Sequence, residues 1–290
     1  MSEPKFKKIV IFGVGLIGGS FALALRKANA VTEVVGFGRS VQTLQQAQQL
    51  AIIHRIGKDV AAEVSDADLI LLATPVGQMA ELMVRIAPHI GTHTLVTDGG
   101  STKSDVVRDA YAQLGGKVAQ FVPAHPIAGT EQSGPTAARA DLYAGKKVVL
   151  TPLPENSPAA VVRVKAAWQA CGADVHQLGY AEHDAVFAAV SHLPHLLSFA
   201  LVHDLAQRDN RELLLSFAAS GFRDFTRIAA SSPEMWRDIC LANREALLKE
   251  LQIYIAELNR MSAALEANDA AKLEQTFRAA REVRAGWTEQ

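Results

Sequence analysis

The residues with the clearest chemical potential are three glycines near the start of the chain. Gly13, Gly15 and Gly18 follow a continuous apolar run and precede a segment with helical periodicity. In such a loop the first glycine makes a tight turn, the second lets the backbone approach a pyrophosphate, and the third lets the helix pack closely on the strand. Leu16 and Ile17 begin the helix, whose free backbone N–H groups attract phosphate. The pattern predicts a dinucleotide site, and the alternative is a glycine-rich turn without a ligand.

The end of the predicted second strand indicates which dinucleotide is preferred. An NAD site usually has Asp or Glu about 20 residues beyond the glycine loop. Here Glu33 lies at the other end of that strand, and Gly38 lacks the carboxylate that would repel a 2′-phosphate. Arg39 and the Ser40 hydroxyl can bind such a phosphate. We therefore expect NADP rather than NAD, and the alternative is that Arg39 is an ordinary surface residue.

Two further loops are expected beside the reacting end of this cofactor. Ser101 follows the predicted fourth strand, and His125 comes at the end of the fifth. In a doubly wound sheet, ligands bind outside the carboxyl ends of the strands. We therefore expect Ser101, together with Thr74 and Pro75 at the end of the third strand, to contact the cofactor.

His125 is the candidate general base. Pro123 and Pro126 stiffen the backbone around it and lower the cost of orienting its ring. An imidazole that titrates near neutral pH can take a hydroxyl proton while hydride leaves the adjacent carbon. The alternative is a structural histidine whose hydrogen bonds are satisfied within the protein.

A second pair of histidines lies in a predicted helix. His192 and His195 are three residues apart on one face, with Pro194 between them, and Asp184 lies about two turns earlier. These side chains could contact substrate, bind a metal or satisfy each other in an interface. We expect no metal, because two histidines and one carboxylate without a further motif make a weak metal site.

Two arginines follow one helical turn apart. Arg223 and Arg227 lie in a phenylalanine-rich segment, where water should screen them poorly and each needs an anionic partner. Arg227 is the candidate for binding substrate. Arg223 is expected to be structural, paired with Asp224 or Asp238.

Positioning these side chains requires a sheet whose strand ends meet. From Lys7 to about Leu178, short apolar runs alternate with helical segments, which is typical of a parallel, doubly wound sheet. The predicted strands are Lys8–Gly13, Glu33–Gly38, Leu69–Thr74, Thr94–Asp98, Phe121–Ala124, Lys147–Thr151 and Asp174–Gln177. The predicted helices between them are Leu16–Ala28, Val41–Leu50, Met79–Ile86, Ser104–Gln113 and Pro158–Cys171.

The pattern changes after Gly179, where strand-like alternation ends. The helical segments that follow are Ala181–Gln207, Arg211–Ala219, Glu234–Leu265 and Ala270–Arg284. The fold class is therefore α/β: an N-terminal Rossmann-type doubly wound parallel sheet in residues 1–179, then an all-α domain in residues 180–290. Glu234–Leu265 has more apolar residues than a surface helix with one buried side needs, so we expect a homodimer through this domain.

The composition excludes several classes of protein. The chain has 290 residues, 49% of them hydrophobic and 20% charged, with a net charge of −1. This is a globular composition, without a field that would attract nucleic acid or an anionic membrane. The two cysteines make no disulfide framework, which fits the cytoplasm. We expect a soluble protein, in which Lys5–Gly19 is a strand and loop rather than a secretory signal and Ala185–Val202 is a buried helix rather than a membrane span.

Taken together, these motifs resemble the prephenate/arogenate dehydrogenases of tyrosine biosynthesis. The resemblance spans nearly the whole chain and rests on Gly13–Ser20, Asp98–Lys103, His125–Glu131, Ser191–His195, Gly221–Ala229 and Trp236. It implies a Rossmann domain and a helical domain that dimerises, and an enzyme that oxidises and decarboxylates a cyclohexadienol. It also implies that His125 is the base, that Ser101 acts with it in the site, and that Arg227 binds a carboxylate. The other substrate-binding residues that it implies are Lys103, Thr130, Glu131, His192 and His195.

The sequence departs from the commonest pattern of this family in two places. Many members have an Asp where this chain has Gly38, which supports NADP. The sequence ends at Gln290, so we expect no appended ACT domain. Two alternatives stay open: a dehydrogenase of the β-hydroxyacid or ketopantoate type, and a non-catalytic NADP-binding sensor. The former typically uses a lysine of the helical domain, and no lysine lies between Lys165 and Lys249.

Overall fold

The computed structural model describes residues 5–129 and 132–287. Its strands are β1 (Phe6–Phe12), β2 (Val31–Phe37), β3 (Arg55–Ile56), β4 (Leu69–Leu72), β5 (Leu95–Asp98), β6 (Ala124–Pro126), β7 (Lys147–Leu150) and β8 (Asp174–Gln177). Its helices are α1 (Leu16–Lys27), α2 (Val41–Gln49), α3 (Val60–Ser65), α4 (Met79–Ile86), α5 (Ser104–Leu114), α6 (Pro158–Ala170), α7 (Tyr180–Phe187), α8 (Leu193–Ala206), α9 (Arg211–Ser216), α10 (Ser220–Thr226), α11 (Pro233–Ala242), α12 (Arg244–Glu266) and α13 (Ala270–Gly286).

The N-terminal half contains a five-stranded parallel sheet. Its strand order is β3-β2-β1-β4-β5, and Ile11 pairs with Gly36 on one side and Leu71 on the other. Successive side chains of β1 point to opposite faces, so Ile9 and Ile11 belong to one apolar cluster while Val10 and Phe12 belong to the other. Both faces of the strand are therefore buried, as its continuously apolar sequence predicts.

A second sheet departs from the expected single parallel one. β6 pairs antiparallel with β7, and β7 pairs parallel with β8. The predicted strand Phe121–Ala124 is divided between the two sheets: Phe121 forms a parallel bridge to Val96 of β5, whereas Ala124 pairs with Leu150. Pro123 lies at the crossing point, where its missing N–H removes a ladder donor.

Three short elements were not predicted from the sequence. β3 has two residues, α3 has six and α10 has seven, too few for a periodic pattern to be recognised. α3 begins after Asp59, whose carboxylate accepts a hydrogen bond from the N–H of Ala61.

Two predicted helices are interrupted in the structure. The first contains a π-turn at Ala188–His192, directly before α8, because Pro194 cannot donate to the carbonyl four residues earlier. The second breaks at Asn243, between α11 and α12, where the Asn243 side chain bonds to another segment. Both interruptions place polar side chains in the candidate site.

Tyr180–Ala206 has the length and apolar composition of a membrane span. It is the one helix among residues 5–129 and 132–287 that is long and apolar enough to cross a membrane, by length and composition alone. Only 28% of its most apolar 18-residue window is buried in the single chain. The expectation of a buried helix is therefore wrong for one copy of the chain.

The chain divides into two compact units, Met1–Arg244 and Glu245–Gln290. This division lies further along the chain than the boundary expected near Gly179. The second unit contains α13 and most of α12, and Asp269 caps α13 by accepting a hydrogen bond from the N–H of Lys272.

Candidate active site

The glycine loop has the geometry that its sequence predicts. Gly13 has a φ of +95°, and a Cβ on it would lie 2.4 Å from the carbonyl oxygen of Ala73. A Cβ on Gly18 would lie 2.2 Å from the carbonyl oxygen of Gly13. Neither position can take a side chain, whereas Gly15 faces open space. The loop therefore leaves room for a ligand only at its second glycine.

The residues around this loop fit a nicotinamide dinucleotide. α1 begins after Gly15 without a side-chain cap, so the first backbone N–H groups, including those of Leu16 and Ile17, are available to a phosphate. At the end of β4, the Thr74 hydroxyl is buried without a hydrogen-bond partner in the described part of the chain, and Pro75 follows it. An orphaned hydroxyl at the carboxyl end of a strand needs a partner of the kind that a bound cofactor supplies.

The residues after β2 are accessible. Gly38 and Arg39 are exposed, and Ser40 caps α2 by accepting a hydrogen bond from the N–H of Thr43. A Cβ on Gly38 would meet only Leu44 side-chain atoms, the nearest at 3.5 Å, which is an ordinary contact. A carboxylate would thus fit at position 38.

Asp98 joins the two loops expected beside the cofactor. Its Oδ1 accepts a hydrogen bond from the N–H of Ala124 at 2.9 Å, and its Oδ2 accepts one from the N–H of Gly100 at 2.9 Å. The Lys103 ammonium group also pairs with Oδ2, and both side chains are fully buried. Lys103 therefore holds the loop that carries Ser101, and its contact with substrate stays a prediction.

His125 lies in β6 itself and is buried. Its Nδ1 lies 2.8 Å from Nε2 of His183, and its ring packs edge-on against Phe187. Burial, and then the neighbouring His183, Lys103 and His192, hold the pKa of His125 well below its ordinary value. The imidazole is therefore neutral at physiological pH, as a base must be.

Asp184, at α7, anchors this region. Its Oδ1 accepts hydrogen bonds from Nδ1 of His183 and from the N–H of Lys103, both at 2.8 Å, and its Oδ2 accepts one from the N–H of Ser104 at 2.7 Å. Burial alone would raise the pKa of Asp184, but these hydrogen bonds hold it below its ordinary value. Asp184 is thus an ionised acceptor inside the protein.

His192 is a buried side chain whose two ring nitrogens have different surroundings. The amide nitrogen of Asn243 donates to the carbonyl oxygen of Asp184 at 2.8 Å and to Nδ1 of His192 at 3.0 Å. Because Nδ1 accepts, the proton of the neutral ring is on Nε2, which makes no hydrogen bond of ordinary geometry among residues 5–129 and 132–287, although the Ser101 backbone is close enough to raise the pKa of His192. Burial lowers the pKa of His192 to about 4, so this state persists at neutral pH.

In His195, unlike His192, the Nε2 atom is a hydrogen-bond acceptor. Its Nδ1 donates to the carbonyl oxygen of Ser191 at 2.9 Å, which leaves Nε2 as an acceptor. Its ring stacks on Trp236 with 3.7 Å between the ring centroids. Burial lowers the pKa of His195, and the nearby Arg227 guanidinium lowers it further despite the Ser191 bond.

The structure places the remaining predicted residues less favourably. Arg223 and Arg227 are exposed in the single chain, so the expectation that water screens them poorly is wrong here. Asp238 pairs with Arg237 at 2.7 Å rather than with Arg223. Thr130 and Glu131 lie outside the described residues. Within the part of the chain that the structure describes, no cluster of three metal-ligating side chains occurs.

Three functional side chains escaped sequence analysis: Asp98, His183 and Asn243. The sequence shows His183 directly before Asp184, but only the fold places it against His125, 58 residues earlier. Asp98 stood at the start of a recognised motif, and its role depends on contacts with both loops. No motif or periodic pattern in the sequence marked Asn243 as a functional residue.

Comparison with known proteins decides the family. Residues 21–177 match the family model described as prephenate dehydrogenase, nucleotide-binding domain, and residues 180–279 match prephenate dehydrogenase, dimerization domain. The chain is similar to prephenate dehydrogenase of Bacillus subtilis, with 36% identity over 96% of this chain and 75% of that protein. The chain belongs to the prephenate dehydrogenase family. It is also similar to cyclohexadienyl dehydrogenase of Zymomonas mobilis, with 33% identity over 96% of this chain and 95% of that one.

A solved structure agrees with this family membership. The crystal structure of prephenate dehydrogenase from A. aeolicus, in complex with hydroxyphenyl propionate and NAD+, has a TM-score of 0.90 and 35% identity, covering 96% of this chain and 97% of that one. The resemblance and the fold class expected from the motifs are thus confirmed. The chain is a dehydrogenase of tyrosine biosynthesis that uses a nicotinamide dinucleotide, and the β-hydroxyacid, ketopantoate and sensor alternatives are set aside.

Proposed function

We propose that this chain oxidises and decarboxylates prephenate, arogenate or both, with NADP preferred over NAD, and that His125 is the general base. The observation that carries the proposal is the position of His125. It is buried and neutral, and it lies in the strand that Asp98 ties to the Ser101 loop, outside the carboxyl end of β5.

The reaction balances with one base. When bound, the nicotinamide ring accepts a hydride from the ring carbon that carries the substrate hydroxyl. His125 accepts the hydroxyl proton as the carbonyl forms. The bond from the ring to its carboxylate then breaks, CO2 leaves, and the bonding electrons make the ring aromatic. The resulting phenolate oxygen takes the proton back, so no net proton is released.

Four side chains are proposed to hold the substrate around His125. Ser101 lies in the adjacent loop, the His192 Nε2 proton is available to an oxygen atom, and His195 Nε2 is available to a hydroxyl. Arg227, close enough to affect the pKa of His195, is proposed to bind a carboxylate. Lys103, Thr130 and Glu131 stay proposed substrate contacts by family resemblance.

We propose that residues 1–179 bind the cofactor and that residues 180–290 supply substrate and dimer contacts in a soluble, cytoplasmic homodimer. The gap between the two matched family models, residues 178 and 179, supports this boundary. Exposed apolar side chains of α9, α10 and the segment between them support a partner copy of this chain, because a single chain leaves Leu213, Phe217 and Phe225 in water. No nucleic acid, membrane or metal is proposed as a partner.

NADP preference is proposed from the exposed Gly38-Arg39-Ser40 segment. The test is steady-state formation of reduced cofactor with prephenate or arogenate and with NADP or NAD. We expect kcat/KM to be higher with NADP by an order of magnitude or more, since one charge-assisted contact contributes roughly 1.5–3 kcal/mol. Gly38→Asp should reverse the preference by repelling the 2′-phosphate, and Arg39→Ala should remove it.

The matched control is Arg85→Ala, which removes an exposed arginine from α4. It should leave all four kcat/KM values unchanged. Equal efficiency of the wild type with both cofactors contradicts the role of Arg39. Cofactor binding without turnover of either substrate contradicts the proposed reaction.

A further inference from the structure

Three buried side chains, those of Asp184, His183 and His125, form a continuous hydrogen-bonded relay that ends at the proposed base. His125 Nδ1 lies 2.8 Å from His183 Nε2, and His183 Nδ1 lies 2.8 Å from Asp184 Oδ1. His183 is fully buried, and the other two side chains are less than a tenth exposed. Water therefore cannot replace any of these partners.

The position of every proton in the relay follows from the hydrogen bonds at its carboxylate end, Asp184. Asp184 accepts backbone N–H groups of Lys103 and Ser104, which only donate, so its carboxylate is an acceptor. His183 must then carry its proton on Nδ1, and its Nε2 offers a lone pair. That lone pair can only be met by a proton on Nδ1 of His125, which leaves Nε2 of His125 unprotonated.

We infer that His183 and Asp184 are positioning residues that hold His125 in the one tautomer that can accept the substrate proton at Nε2. The inference rests on the proposed role of His125 as the base. When Nε2 takes the hydroxyl proton, His125 becomes an imidazolium whose Nδ1–H still donates to His183. The negative charge of Asp184 lies at the other end of the relay and stabilises that cation until the proton returns to the phenolate oxygen.

The other charged or titratable groups around the relay do not replace Asp184. Lys103 and Asp98 pair with each other at the end of β5, and Asp105 lies on α5 behind Asp184. His192 is engaged through Nδ1 by Asn243. Asp184 is therefore the one carboxylate bonded to His183 in the described part of the chain.

The first test reads the tautomer directly. In the wild-type enzyme labelled with 15N-histidine, the His125 signals, assigned with His125→Asn, should show a protonated Nδ1 and an unprotonated Nε2 at neutral pH. In His183→Phe, which keeps a ring but offers no acceptor, the proton should no longer be confined to Nδ1. A wild-type His125 with its proton on Nε2 overturns the inference whatever the activity of the variants.

The second test separates positioning from binding. In His183→Phe, kcat should fall about 100-fold or more, because losing the group that fixes the tautomer of a catalytic histidine is costly. The KM values for substrate and cofactor should change less than about twofold, because His183 is fully buried and both of its ring nitrogens are engaged by His125 and Asp184. His183→Gln should recover part of kcat, since its amide oxygen can accept from His125 while unable to carry charge. His183→Gln also replaces His183→Phe as the test variant if the phenylalanine variant does not fold.

A matched control exists in the same unit. His176 and Asp174 form a pair with 2.7 Å between Nε2 and Oδ2. Both of these side chains are exposed, whereas those of the relay are buried. His176→Phe should leave kcat and the His125 signals unchanged. If His183→Phe keeps wild-type kcat while His125→Asn is inactive, the relay is wrong and the proposed base stands. If His125→Asn is fully active, the proposed function fails, and the tautomer measurement still decides the relay.

Discussion

At the scale of single residues, the role of Arg227 stays a prediction, whereas its predicted environment is wrong for the single chain. The family resemblance implies that Arg227 binds a carboxylate. Arg227 lies close enough to His195 to lower the pKa of that residue, in addition to the larger effect of burial. The phenylalanine-rich segment predicted a dry setting, but the single chain leaves Arg227 exposed. Its effect on binding should therefore depend on the salt concentration.

Arg227→Ala should raise KM for prephenate about tenfold, because a charge-assisted hydrogen bond contributes roughly 1.5–3 kcal/mol and exposure to water screens part of it. The fall in kcat should be smaller, since the carboxylate contact exists in both the ground and transition states. Arg227→Lys should restore little, because an ammonium group cannot make the planar two-pronged contact. Steady-state kinetics at two salt concentrations measure this.

Arg223→Ala is the control for that experiment and should leave KM near its wild-type value. An unchanged KM in Arg227→Ala, together with a lower melting temperature, means that Arg227 is structural and that the roles of the two arginines are exchanged.

The sequence was informative about residues whose motif is local. His125 between two prolines and Ser101 after an apolar strand were found because strand ends in this fold meet at one edge. His183 and Asn243 were missed because their roles arise from contacts across 58 and 51 residues, which periodicity does not encode. The ion pair between Lys103 and Asp98 was missed for the same reason, since it becomes evident only when the loop is folded.

At the scale of elements, the π-turn before α8 determines how the helical part meets the site. It places His192 inside the protein, where the Asn243 side chain at the break between α11 and α12 reaches it. A continuous helix was predicted in each place. The positions of Pro194 and Asn243 in the sequence were visible, but the kind of interruption depends on which carbonyls and side chains meet there.

This burial makes stability depend on pH. The pKa of His192 falls from 6.5 to about 4 on folding, so the unfolded chain binds the proton first as pH falls. The free energy of unfolding should therefore decrease between pH 6.5 and 4, by up to on the order of 3 kcal/mol from this residue. Burial lowers the pKa values of His125 and His183 too, with the same sign.

Urea unfolding at several pH values measures this dependence. His192→Gln should show a shallower loss of stability below pH 6.5, whereas His203→Gln, which changes an exposed histidine of α8, should match the wild type. Parallel pH dependences for the wild type and His192→Gln would show that His192 does not become protonated on unfolding in this range.

At the scale of the whole molecule, the alternation of strands and helices predicted the Rossmann-type region, but not how its strands pair. Periodicity tells whether a strand is buried, not its direction, so the antiparallel pairing of β6 with β7 was missed. The same limit applies to Tyr180–Ala206, whose apolar sequence predicted burial that one copy of the chain does not provide.

We expect light scattering at micromolar concentration to give the mass of a dimer. Phe217→Glu should shift the protein toward monomer, because Phe217 is 80% exposed in the single chain and its substitution costs the monomer little. Val162→Glu is the matched control, since Val162 is an exposed apolar residue of α6 in the nucleotide-binding region. A wild type that is monomeric at this concentration contradicts the proposed assembly.

The role of His125 is the claim on which the account depends most. The decisive measurement is the rate of reduced-cofactor formation by His125→Asn at saturating substrate and neutral pH, with cofactor affinity measured beside it. We predict that kcat falls by roughly 10²- to 10⁴-fold, because asparagine cannot accept the proton. Cofactor affinity should barely change, since the phosphates bind at the glycine loop. Near-wild-type turnover by His125→Asn would contradict the account.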